Sequence, residues 1–364
     1  MLNLTSSSVV PFDCMASCIS SPMLYTITTV NYFFFSGAVG FLGVVVNVIK
    51  VIIFFKIGFK DTTNISFFSL SVADTGVVLM LLGFSVVYNP GVIQAVTYFE
   101  VVDSVGYISF GWPYAGCSRV ASMMTAVITV ERFMCVSLPL KVRTIITPKV
   151  SIVTSFTVFC VVMATVVPAF LASRLGPAYN ARVNKTTLGL IHPPMAASLE
   201  GFTLMAMVVF QLLAFGVVTA CTFALIRSFT RTVQWRKQVS NSSSSLTGRD
   251  KKLVKMVIFI SFSFIVFSIP GVVITFMMIF IKEFKMTGLY KNLFVTLFSS
   301  FYPMDGLNSL VNFFIFLYMS SKFRNIFMSM FHLRLVFGTN IQSEGIAKAQ
   351  KGDYYTENKK DIMI

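Results

Sequence analysis

Seven apolar runs, each long enough to cross the roughly 30 Å of bilayer hydrocarbon, divide this chain: Asn31 to Phe55, Asn64 to Tyr88, Val105 to Val136, Val150 to Ala172, Gly201 to Ile226, Leu253 to Ile281 and Leu293 to Tyr318. With 55% hydrophobic and 12% charged residues among 364, the sequence has more apolar surface than a soluble fold of its size buries. Backbone groups in lipid must bond one another, and runs of twenty or more residues suit helices rather than tilted strands of about ten. The fold class is therefore an all-α membrane protein, a seven-transmembrane helix bundle spanning residues 31–318. Asn89, Pro90 and Gly91 signal a turn between the second and third runs.

Basic residues orient the bundle. With the N-terminal segment (residues 1–30) outside, Lys56, Lys60, Lys141, Arg143, Lys149, the basic residues from Arg227 to Lys255, Lys322, Arg324 and Arg334 fall inside. Arg174, Arg182, Lys185, Lys282, Lys285 and Lys291 fall outside. That asymmetry follows the positive-inside rule and accounts for most of the net charge of +15. The basic residues are split among membrane loops, which argues against a nucleic-acid partner. The sequons at Asn3 and Asn184 lie on the outer side as glycosylation candidates, whereas those at Asn64 and Asn241 lie inside and are expected to be silent. The first thirty residues hold no Lys or Arg for a cleavable signal, so the first helix is expected to serve as the insertion signal. Cys117, Cys135, Cys160 and Cys221 fall in or beside helices as small apolar residues, while Cys14 and Cys18 lie outside and are close enough in sequence to bridge.

Polar residues within the runs are few and patterned. Ser118, Ser122, Thr125, Thr129 and Arg132 share one face of the third run, a face expected to look into the bundle. Arg119, beside this stripe, needs a partner or an acidic ligand, and Asp305 in the seventh run is one partner on offer. Asp74 lies deep in the second run. With Asn47, Asn308, Ser309 and Asn312 it offers either a hydrogen-bonded polar core or carboxylate and amide oxygens for a hard cation such as Na+ near Asp74. No other cofactor is indicated. Glu131 and Arg132, followed by Phe133, close the third run at the membrane edge, where adjacent ionisable groups mark a functional site.

This constellation resembles the rhodopsin-like G-protein-coupled receptors over nearly the whole bundle, roughly Asn31 to Phe331. Asn47 is similar to that family's first-helix asparagine, Leu70 to Asp74 to its second-helix motif, and Glu131-Arg132-Phe133 to its acid-Arg-Tyr triplet. Pro139-Leu140 stands at the usual place in the following loop, and Pro270 lies inside the sixth helix. Asn312 to Phe316 resembles a variant of the seventh-helix Asn-Pro-x-x-Tyr motif, and Lys322-Phe323-Arg324 the start of the short amphipathic helix after it, here residues 319–337. The wording Asn308 to Phe313 is most like divergent invertebrate neuropeptide and chemosensory receptors. The resemblance implies a plasma-membrane receptor with an extracellular peptide or small-molecule ligand and a heterotrimeric G protein inside. It also implies that Arg132 pairs at rest with Glu131 and with Asp250, which lies twenty residues, about 30 Å of helix, before Pro270. Activation would then swing helix six outward about Pro270.

The departures shape the expected ligand. No cysteine stands at the outer end of helix three or between Ser173 and Glu200, so the family's outer disulfide has no partners. Helix four lacks a tryptophan, helix five lacks a proline, Ser268 replaces an expected tryptophan, and Phe313 and Phe316 replace the proline and tyrosine of the last motif. Tyr114 stands where amine receptors carry an acid, which disfavours amines. No lysine lies between Leu293 and Tyr318 to hold retinal. A short peptide or a small acidic or waterborne odorant fits a pocket of Tyr114, Ser118, Arg119, Ser268 and Asp305. The basic ends of the third inner loop suit anionic membrane lipids or a G protein, and the serines from Ser240 to Ser245 suit phosphorylation or a plain linker. Beyond Gly338 the composition predicts a disordered cytoplasmic tail (338–364).

A polytopic small-solute transporter is the alternative reading, against which stands the lack of repeated halves or paired broken helices. An enzyme is disfavoured: His192 and His332 fall on opposite sides, and no metal-ligand spacing or nucleophile motif is present.

Overall fold

The computed structural model describes residues 19–96, 104–138, 141–180, 185–191, 193–239, 248–284 and 288–331. Its principal helices are α1 (Pro22–Ile57), α2 (Thr62–Val87), α3 (Ser104–Ser137) and α4 (Pro148–Ala172), then α5 (Ala196–Val239), α6 (Gly248–Phe280), α7 (Lys291–Met319) and α8 (Ser321–Met330). Six of them qualify as membrane spans on length and hydropathy alone. The seventh, α7, has 29 residues, ample for a crossing. It falls short in hydropathy because its inward face carries Ser299, Asp305, Asn308, Ser309 and Asn312.

The helices run past the apolar sequences that predict them. The first begins near Pro22, not Asn31, and α5 continues to Val239, beyond Ile226. Hydropathy marks only the part of a helix in hydrocarbon, while the backbone ladder continues into the interface. Where the helices end, the chain supplies caps. Gly58, at φ 87°, closes α1 by donating its N–H to the Phe54 and Phe55 carbonyls. Asp61 Oδ1 accepts from Thr63 N at the start of α2, and Ser320 Oγ accepts from Phe323 N at the start of α8.

One departure from an all-helical reading lies in the connection between the fourth and fifth helices. Between α4 and α5 an antiparallel hairpin pairs β1 (Arg174–Asn180) with β2 (Lys185–Ile191), Arg174 opposite Ile191. The turn at Asn89 leads into a short helix, Pro90–Val96, with Asn89 Oδ1 accepting from Gly91 N. Asn3, Asn184, Cys14 and Cys18 lie outside the described residues, as does the whole tail, 338–364. Asn64 is occupied in packing, since its amide donates to the Gly58 carbonyl.

The bundle turns apolar side chains outward. In α4 only Ser151, Ser155 and Val162 of Pro148–Ala164 are buried, and Ile152, Val153, Phe156 and Phe159 are exposed. That exposed surface needs lipid around it. Inside, α1 and α2 pack through glycines: a Cβ on Gly40 would meet the Leu82 backbone nitrogen at 2.8 Å. A π-helical stretch, Val30–Phe35, turns Tyr32 onto Phe84 and Tyr88, while the Asn31 amide reaches Ser299 and Ser300 of α7.

Candidate functional site

Three polar layers cross this bundle. The first, toward the N-terminal end of α3, centres on Asp305 of α7. Its Oδ2 accepts from the Tyr114 hydroxyl (2.7 Å) and the Ser118 hydroxyl (2.5 Å), both on α3. The Tyr114 ring lies tilted against that of Tyr302, centroids 4.5 Å apart, and its hydroxyl proton is shared with the Tyr302 carbonyl at 2.8 Å. Tyr114 and Ser118 sit four apart on α3 and so share the face that meets α7. Arg119, buried at 8% exposure, donates to Ser118 Oγ at 3.0 Å. It therefore reaches Asp305 through a hydroxyl, not by the direct ion pair offered from sequence. Ser268 is buried in α6 two residues before Pro270 but makes no hydrogen bond to this group among the described residues.

The middle layer divides the predicted polar core into separate pairs. Asn47 accepts from Ser309 (2.8 Å) and donates to the Gly43 carbonyl. Asn308 Oδ1 accepts from Ser263 of α6 (2.8 Å), and Asn308 makes no hydrogen bond to Asp74 among the described residues. Asn312 is fully buried, and neither of its amide atoms has a hydrogen-bond partner among the described residues. Asp74 is held by a residue the sequence reading passed over: Lys50 of α1 places its Nζ 2.7 Å from Asp74 Oδ2. A lone lysine one turn from Asn47 in an apolar helix was the available signal, because a charge there requires a counter-charge. Phe316 takes the place of the expected tyrosine among Phe54, Phe67 and Phe323, a wholly buried aromatic group that docks α8.

The third layer, toward the C-terminal end of α3, holds the Glu131-Arg132 pair, both about 6% exposed. The pair is loose, Arg132 Nη2 to Glu131 Oε2 being 3.9 Å. Glu131 is gripped more closely by hydroxyls, Ser66 of α2 (3.0 Å) and Ser151 of α4 (3.1 Å). Phe133 is partly buried against the inner core. Asp250 lies in the first turn of α6, but its side chain, and with it the expected contact to Arg132, falls outside the described residues. One turn above Arg132, Thr129 meets Ser261 of α6 at 2.9 Å. Pro270 sits within α6 and leaves the carbonyl one turn earlier without its usual donor.

A cavity of about 310 Å³ opens between α3, α4 and α5, lined by Met123, Ala126, Val127, Leu213 and Val217 with Glu131 at its inner edge. It lies inward of the Asp305 group, and its lining suits hydrocarbon. The four described cysteines form no disulfide.

Two comparisons with known proteins complete the picture. Residues 46–316, running from beside Asn47 to Phe316, match the family model described as 7 transmembrane receptor (rhodopsin family). No curated protein matches the chain.

Proposed function

Because the chain belongs to the rhodopsin family of seven-transmembrane receptors, we propose that it answers an extracellular peptide or small acidic molecule by outward movement of α6, activating a heterotrimeric G protein. Proteins of this family are multi-pass membrane receptors and not enzymes. The finer reading rests on one observation: α3 carries both a polar group shared with α7 toward its N-terminal end and an ionisable pair near its C-terminal end. Arg119 and Arg132 are thirteen residues, about 20 Å, apart on that single helix. A ligand acid that draws on Arg119 competes with the Asp305 group and changes how α3 sits on α7. That change reaches Thr129 and Arg132 through a rigid rod. An agonist drives the shift only as far as it prefers the open form. In this reading the N-terminus is extracellular, the membrane is the plasma membrane, and Pro270 is the pivot of α6.

Expression of the receptor in cells, with peptide and odorant panels read out by G-protein activation and by solute uptake, tests it. Ligand-evoked G-protein activation that weakens at least tenfold in potency with Arg119→Ala is the expected result. Uptake without G-protein activation would establish a transporter instead, and unchanged potency in Arg119→Ala would remove the acidic-ligand part.

A further inference from the structure

The Asp74 carboxylate is of the chemical type that attracts a hard cation, yet the charge lying against it belongs to the chain itself. We propose that Lys50 is the resident cation of the polar core, which excludes sodium from Asp74 and makes the resting bundle independent of that ion.

The Lys50 and Asp74 side chains are 0% and 5% exposed, with Nζ and Oδ2 2.7 Å apart. Neither charge is tolerable alone in such a place, so each requires the other. A sodium ion added to the same carboxylate would leave a net positive charge in low dielectric, a few ångströms from the ammonium. The oxygens that might complete a metal shell are also taken. Asn47 Oδ1 accepts from Ser309 and Asn308 Oδ1 accepts from Ser263. Of the Asn47, Asn308 and Asn312 amide oxygens only that of Asn312 has no donor among the described residues, whereas hard cations of this size collect about six oxygens. On the α7 side the ammonium faces the Phe316 ring, 5.9 Å from its centroid, so that an aromatic face and not a hydroxyl lies beside it.

A tethered ammonium differs from a dissolved ion in one respect that matters here. Its local concentration is fixed by the covalent chain, so its occupancy cannot fall when the medium changes. Lys50 thereby joins α1 to α2 permanently, and α7 meets the pair through Phe316.

The test uses the purified full-length receptor and needs neither ligand nor G protein, so its outcome is separate from that of the signalling assay. Thermal unfolding is compared in sodium chloride and in choline chloride at equal ionic strength, for the wild type and for Lys50→Met. The wild type is expected to unfold at the same temperature in both salts. Lys50→Met exposes Asp74 to solvent ions and is expected to gain a sodium-specific rise larger than the wild type's by about 3 °C or more. Equal sodium responses in the two proteins overturn the proposal. If Lys50→Met does not fold, the double variant Lys50→Met with Asp74→Asn, which removes the stranded carboxylate, is expected to recover a cooperative transition. A double variant no more stable than the single one overturns it equally.

Discussion

Thr129 of α3 and Ser261 of α6 place their hydroxyls 2.9 Å apart, both fully buried, one turn from Arg132. The contact fastens α6 to α3, and the proposed outward movement of α6 would have to break it. A buried neutral hydrogen bond contributes about 1 kcal/mol, and a change of that size shifts a two-state population about fivefold. Ser261→Ala is therefore expected to raise basal G-protein activation about fivefold. Basal activity equal to wild type at matched surface expression would show that this contact does not restrain α6.

The Asp305 group predicts non-additivity. Tyr114→Phe removes the donor to Asp305 and to the Tyr302 carbonyl, and Asp305→Asn weakens the acceptor that Tyr114 and Ser118 share. Each change is expected to cost about 1–3 kcal/mol of stability. Because the two residues touch, the double variant should lose less than the sum by about 0.5 kcal/mol or more. Thermal unfolding of the four proteins measures it, and strict additivity would mean that the two side chains do not interact.

Near the C-terminal end of α3 Glu131 answers to Ser66 and Ser151 more closely than to Arg132. Removing both hydroxyls in Ser66→Ala with Ser151→Ala leaves the carboxylate without its short hydrogen bonds. The expected result is a stability loss of about 2–4 kcal/mol, since bonds to a charged group exceed neutral ones. Arg132→Ala should cost less than this pair of serine changes. The reverse order in thermal unfolding would make the Arg132 contact the dominant restraint on Glu131.

Helix packing gives a contrast between two glycines. Gly40→Ala drives a methyl against the Leu82 backbone, which has no rotamer with which to yield, and is expected to destabilise by about 1–3 kcal/mol. Gly216→Ala on α5 meets nothing within 4 Å and should be neutral or stabilising by up to about 1 kcal/mol. Melting temperatures that move the same way in both variants would contradict the α1–α2 geometry.

Much of this bundle is readable from the chain. The apolar runs locate the helices, and the periodic stripe from Ser118 to Arg132 identifies the inward face of α3, where Ser118, Ser122, Thr125, Thr129 and Arg132 are all buried. What was not readable is illustrated by the hairpin at Arg174–Asn180, whose Gly176 and Pro177 are poor strand residues held by their register with Lys185–Ile191. Lys50 and Ser263 were passed over for a related reason: each takes its meaning from a residue on another helix.

By itself the sequence determined the solvent, the number of crossings and the polar face of the third and seventh helices, because hydrophobic burial and backbone satisfaction are local and periodic. The tertiary structure decided the partners: Lys50 rather than Asn308 beside Asp74, Ser118 between Arg119 and Asp305, Ser66 and Ser151 around Glu131. Periodicity fixes a helix face but leaves its rotation and depth against neighbouring helices open. A hydrogen bond, effective over only about 3 Å, depends on both.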